Sequence, residues 1–331
     1  MFWFHRIVRR RYLLIIFTFH RIVPGGKAGL FYSPYDRGFP PEVLDKAITT
    51  IRKYLKIIKY DDFVECVIGD KKLEADSALI TFDDADGDFD EYALPVLNKH
   101  DVCCTVFVPT GFVETGNLFW HVRISNLIHN LNDDDTRIKI TNNTGLPDSV
   151  REIFSGGIPP DLPGRKALCY KLILGLNKLP DTEIKTVIDI LGEIIEIKNK
   201  LPIGTMNWAQ LKKIYAEGHS LESHSLTHRK LAGLNKDEVY RELVESKEKI
   251  EREIGNVVTG ICYPAGSHSD MVAEQADRAG YKIGFTTRPG ICRYPLYEEN
   301  RFMIPRIDIC DYREYAMHKI LGMMVLKELF R

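Results

Sequence analysis

The chain has 331 residues, 44% of them hydrophobic, enough for one large core or two smaller ones and too apolar for a disordered polymer. A formal net charge of −1, with no long basic stripe, excludes a general nucleic-acid binder. Seven cysteines without CxxC spacing point to neither a disulfide framework nor a cysteine zinc site, and favour a reducing, cytoplasmic setting.

Arg6, Arg9, Arg10 and Arg11 precede the apolar run Leu13–Phe19 and together imitate a signal peptide. The run is short, ends in His20-Arg21 and has no small-residue cleavage site after it, so it reads as the first buried strand. It is too short to be a transmembrane segment. Met1, Phe2, Trp3 and Phe4 beside the arginines leave room for peripheral membrane association.

Strand-like and helix-like segments then alternate. Leu44, Ile48, Ile51 and Leu55 predict a helix over 41–58, and 78–82 is a strand ending in Asp83-Asp84. A short helix over 91–100 precedes an apolar strand at 103–108, closed by Pro109-Thr110-Gly111. Residues 121–200 break the rhythm with Asn-Asp clusters, a Gly-Pro stretch and helical runs at 165–176 and 181–197. This is read as a largely helical excursion between two barrel elements, a lid or partner surface.

Beyond it, Asn207 caps a helix that stops at Gly218, and 220–223 leads into His224-Ser225-Leu226-Thr227-His228. Asn235 and Glu238 form a capping box for a helix ending at Gly255. Strands at 258–263, 282–287 and 302–308 flank a helix at 270–280. The C-terminal segment 315–329 reads as a packed helix. Repeated βα units imply a parallel sheet or barrel.

Chemistry concentrates where strands end, as it does in a βα barrel. Two histidines at i and i+4 suit one face of a helical turn, and two neutral imidazoles with one carboxylate make a catalytic zinc set with an open position. One member of the Asp83-Asp84 pair can bind the metal while the other takes a proton from the attacking water. A backbone N–H at Pro264-Ala265-Gly266 is placed to meet an oxyanion, and Trp120-His121 suit either a glycan cleft or the core.

Thr81-Phe82-Asp83-Asp84, His224 to His228, and Tyr263-Pro264-Ala265-Gly266 resemble, in order, the first three motifs of the polysaccharide deacetylase family (NodB homology, carbohydrate esterase 4). The resemblance covers about residues 13–120 and 201–308. It implies a distorted (β/α)7 barrel within one catalytic domain over 1–331. It further implies Asp83 as catalytic base, Asp84, His224 and His228 as metal ligands, and Tyr263 with Ala265 at the substrate and oxyanion. Two positions depart from the family. Ala85 follows the Asp pair where many members have glycine, and Cys262 stands where the third motif often carries an arginine. Arg306, at a strand end, is the expected substitute. Phe19-His20-Arg21 resembles the permuted version in which the acid histidine, here His20, lies on the first strand.

The resemblance therefore implies a metal-dependent hydrolase that removes acetyl groups, N-acetyl foremost, from a sugar or polysaccharide in bacterial surface-glycan metabolism. Zinc is the expected divalent metal, with cobalt, nickel or iron fitting the same ligands. Two alternatives stay open: a small-molecule amide or formamide hydrolase on the same barrel, and a glycan-binding pseudoenzyme motivated by Cys262 and Ala85.

Overall fold

The computed structural model describes residues 12–25, 38–115, 117–198, 204–294 and 301–309. The arginine-rich start and the 315–329 segment lie outside the described residues. Strand β1 (Leu13–Phe19) is fully in the sheet and pairs in parallel with β3 (Ser77–Phe82), six residues in register from Leu14↔Ser77 to Phe19↔Phe82. Between them lie helix α1 (Pro41–Tyr54), the two-residue strand β2 (Lys56–Ile57) and helix α2 (Tyr60–Ile68). Parallel pairings continue through β4 (Thr105–Val108), β5 (Ser220–Ser223), β6 (Gly260–Cys262), β7 (Ile283–Pro289) and β9 (Ile304–Asp308), which returns to β1. Seven parallel strands thus close into a barrel. β2 extends it beside β3, and β8 (Cys292–Arg293) lies antiparallel on β1.

Alternation along the strands sorts the side chains. Ile15, Phe17, Phe19, Ile80 and Phe82 join Leu44, Ile48 and Leu97 in the layer between barrel and helices. Leu14, Ile16, Leu79, Phe107, Phe285 and Ile304 make a second cluster, closed by Phe63 of α2. Further along the same faces stand Thr18, then Thr81 and Asp83, then Arg306: the interior turns polar at the C-terminal ends. Both faces of the strands are covered, hence the continuous burial of β3.

One predicted helix stops early and another is broken in two. The helix over 41–58 stops at Tyr54, because Leu55 is extended and Lys56–Ile57 pairs with Ser77 and Ala78. The helix over 91–100 splits into Phe89–Tyr92 and Leu94–Lys99, with Pro95 in the first turn of the second, where its missing N–H is tolerated. Downstream, α10 (Trp208–Ala216) and α11 (Lys236–Ile254) begin at complete capping boxes on Asn207–Gln210 and Asn235–Glu238. Gly255, at φ 77°, ends α11 in the left-handed conformation.

Between β4 and α10 the described residues of the excursion form five helices: α5 (Trp120–Asn130), α6 (Asp134–Asn142), α7 (Asp148–Ser155), α8 (Leu162–Leu176) and α9 (Asp181–Ile194). They bury a core of their own, including Ile124, Leu127, Phe154, Leu172, Ile173, Val187 and Leu191. No helix among the described residues is long and apolar enough to cross a membrane.

Candidate metal centre and active site

The site is assembled from strand ends. Asp83 continues β3 by donating its N–H to Phe19 O at 3.0 Å. Its buried carboxylate is gripped at both oxygens by Arg306, Nη1 to Oδ1 and Nη2 to Oδ2, each at 2.7 Å. Arg306 is itself fixed, donating from Nε to Thr286 O at 3.0 Å and from Nη2 to Cys262 Sγ at 3.0 Å. Burial alone would push the Asp83 carboxyl up, but the bidentate guanidinium outweighs it and holds that carboxyl well below the usual range. The pairing thus favours the ionised form of Asp83.

Asp84 has a left-handed backbone, φ 72°, and the adjacent carboxylates meet different partners. Its Oδ1 lies 3.5 Å from His224 Nε2 and 3.4 Å from His228 Nε2, and it is buried with no hydrogen-bond partner. His224 Nδ1 is 2.7 Å from Cys262 O, so it carries the proton and leaves Nε2 as a lone pair facing Asp84. Burial lowers both imidazoles to about 4, which keeps them neutral and able to ligate. The same effect raises the Asp84 carboxyl. Three donors that approach without bonding one another fit a cation: ligand atoms each about 2.1 Å from a tetrahedral metal stand about 3.4 Å apart. A second grouping, Asp83 with His224 and Cys262, also brings three donor atoms within 4.8 Å of one another. There the guanidinium of Arg306 already occupies the carboxylate and the thiol, so Asp84, His224 and His228 are the better cation set.

The histidines do not share a helical turn, contrary to the i,i+4 expectation. Residues 224–228 form a loop after β5, with Ser225 at φ 63° and His228 at φ 56°. The loop, not helical periodicity, brings the rings to 4.8 Å between centroids. It is held on one side by the segment after β4, where Thr110 N–H and Gly111 N–H donate to Ser225 O and Leu226 O. A side chain at Gly111 would collide with Leu226 O, so this close approach requires glycine.

His20 follows β1 at the rim, a quarter exposed, with Nε2 4.0 Å from Asp83 Oδ2 and Nδ1 4.0 Å from Asp308 Oδ2. The sequence reading missed Asp308; two-residue alternation from Arg306 on the same strand is the signal that would have found it. Ala265 is exposed at φ 52° in the turn after β6. The turn's two bonds run from Gly266 N–H to Tyr263 O and from Ser267 N–H to Pro264 O, so neither uses the Ala265 N–H. Tyr263, expected at the substrate or oxyanion, directs its side chain inward. Its side chain is fully buried against His268, and its N–H is committed to Phe285 O at 3.0 Å.

The excursion supplies one wall of the cleft above Asp84 and His20, through Phe119, His121 and Val122. His121 stacks on Phe119, and Phe119 meets the His228 ring at 4.8 Å. Trp120, its neighbour, packs against the excursion core. Phe112 and Phe119 were not singled out from the sequence; isolated aromatics in an irregular stretch carry no periodic signal.

Comparison with known proteins agrees with this architecture. A sequence model of the polysaccharide deacetylase family matches residues 70–159 and 176–284, more than half of the chain and extending into the excursion. YxkH of Bacillus subtilis (strain 168), described as a putative polysaccharide deacetylase, is 31% identical over 107 residues, which are 32% of this chain and 37% of that protein. The chain therefore spans little more than a third of that curated relative. Among solved structures, the Streptococcus pyogenes deacetylase PplD, in complex with acetate, superposes with a TM-score of 0.56 at 17% identity, covering 91% of this chain and 93% of that one. IcaB from Ammonifex degensii gives 0.58 at 13% identity over 95% and 97%. These two likenesses are of fold. With its three motifs at the strand ends of a seven-stranded barrel, and with the family match across both halves, the chain belongs to the polysaccharide deacetylase family.

Proposed function

We propose that this protein is a metal-dependent hydrolase that removes acetyl groups, N-acetyl foremost, from a sugar or polysaccharide of the bacterial surface. The observation that carries the reading is the buried, unpartnered Oδ1 of Asp84 facing Nε2 of His224 and Nε2 of His228, next to the arginine-paired Asp83. Asp84, His224 and His228 would hold the metal, and their N2O donor set suits zinc, with cobalt, nickel or iron as substitutes. When bound, such an ion polarises the acyl carbonyl and acidifies water.

The chain's own groups complete the reaction. Asp83 takes a proton from the attacking water, oriented by the guanidinium of Arg306. The Ala265 N–H faces the carbonyl oxygen as it gains charge. His20 gives a proton to the leaving amine nitrogen or alcohol oxygen, with Asp308 beside Nδ1 steadying the ring. Water and an acetylated sugar thus become acetate and the free amine or alcohol. The aromatic wall of Phe119 and His121 offers an apolar side to a sugar ring.

The test is acetate release from N-acetylated oligosaccharides and O-acetylated sugars after chelator treatment and after adding back zinc, cobalt, nickel or iron. Activity abolished by chelation and restored by one of these ions supports the reading. Turnover of simple amides or formamides in preference to every acetylated sugar would reassign the substrate. Activity indifferent to chelation, with no metal retained, would refute the metal role.

A further inference from the structure

α11 carries Glu242 and Ser246 one turn apart within its buried stripe. Glu242 is a carboxylate only 3% exposed, and no cation pairs with it among the described residues. Its partners lie instead in the loop between the two site histidines. Oε2 accepts the Leu226 N–H at 3.0 Å and the Thr227 N–H at 2.7 Å, while Oε1 accepts the Thr227 hydroxyl. Ser246 donates its hydroxyl to Ser225 O at 3.0 Å. The two residues immediately before His228 are thus gathered onto one carboxylate.

The loop has reason to need this hold. Ser225 and His228 both adopt the left-handed region that L side chains rarely occupy, and such a backbone persists only where its surroundings fix it. Consecutive N–H groups at 226 and 227 point inward because of that path. Without that acceptor both N–H groups would lose their bond in a partly buried setting, and the loop would relax to hydrate them. His228 is the next residue, so relaxation would carry its Nε2 away from Asp84.

We infer that Glu242 is a positioning residue of the metal centre: by accepting the Leu226 and Thr227 N–H groups it sets His228 against Asp84 for a divalent cation. The inference rests on the metal reading above. It assigns a buried acid to a task that neither a ligand nor a catalytic role explains, since Glu242 touches no site atom directly.

The test measures zinc affinity by chelator competition and the visible spectrum of the Co2+ form, for wild type and for E242A, E242Q, E242D and L243A. Urea unfolding of each metal-free protein accompanies them. E242A is expected to lose about 10- to 100-fold in zinc affinity, as other groups that orient metal ligands do, and to alter the Co2+ spectrum. E242Q retains an amide oxygen for both N–H groups and should recover most of the affinity. E242D keeps the charge but is one methylene too short, so it should fall with E242A; it serves if the alanine variant does not fold. L243A, on the same helix but facing the core, should lower stability and leave zinc affinity unchanged. Wild-type affinity and spectrum in both E242A and E242D would overturn the role of Glu242, as would an equal affinity loss in L243A at matched stability. Absence of zinc binding from wild type would overturn the metal reading itself, and this inference with it.

Discussion

Asp83 and Arg306 form a buried pair at the end of the barrel, and in the proposed reaction the same pair sets the base. Each carboxylate oxygen accepts one guanidinium nitrogen, and neither residue is more than 4% exposed. Removing one partner of such a pair strands the other charge, at a cost of about 3–5 kcal/mol. Arg306→Met should therefore lose about that much stability at neutral pH, measured by urea unfolding. The loss should shrink with acidification. In the wild type the depressed Asp83 carboxyl contributes stability above its unfolded value, near 3.8, and that contribution is lost as pH falls through the folded value. In the variant, burial acts unopposed and raises the same carboxyl, so protonation relieves the stranded charge. A stability gap that stays constant between pH 7 and pH 4.5 would contradict this. Arg306 was legible in the sequence only because Cys262 stands where an arginine was expected and a strand end carried a spare cation. Asp308 was overlooked although it sits two residues further along the same face.

At the scale of elements, the histidine loop is the part the sequence described least well. The i,i+4 spacing is that of a helix, yet the segment is irregular, because its path is set by contacts from elsewhere: Gly111 after β4, Glu242 and Ser246 on α11, and Phe119 from the excursion. Local propensity carries none of these. The capped helices are the opposite case: Asn207 with Gln210, and Asn235 with Glu238, encode their own starts within four residues. The loop's burial has a pH consequence. Burial lowers His224 and His228 to about 4 and His121 to about 3. Between about pH 6.5 and 4 the unfolded chain binds protons that these folded imidazoles refuse, so metal-free protein should lose stability as pH falls through that window. Each refused proton is worth up to about 1.4 kcal/mol per pH unit. His121→Phe, which keeps an aromatic ring against Phe119, should make the slope shallower in urea titrations at several pH values. An unchanged slope would show that His121 does not stay neutral in the fold.

The whole molecule combines a barrel, legible as recurring apolar strands and capped helices, with a helical excursion in which two of the five described helices announced themselves. Helices α8 and α9 carry recurring apolar residues, and both were anticipated. α6 and α7 lie in polar sequence and bury few residues each, such as Ile140, Val150 and Phe154, so their signal emerges only in the shared core. The cleft belongs to both parts: strand ends supply His20 and Asp84, and the excursion supplies the aromatic wall. The central claim is that Asp83 performs the proton transfer of a metal-dependent deacetylation at this cleft. The most direct test is acetate release from N-acetylated oligosaccharides by zinc-loaded wild type beside zinc-loaded Asp83→Asn, with metal content measured in both. Release by wild type, with a fall of about 100-fold or more in the variant at equal zinc content, is the expected result. Equal release by both proteins would remove Asp83 from the mechanism and contradict the account.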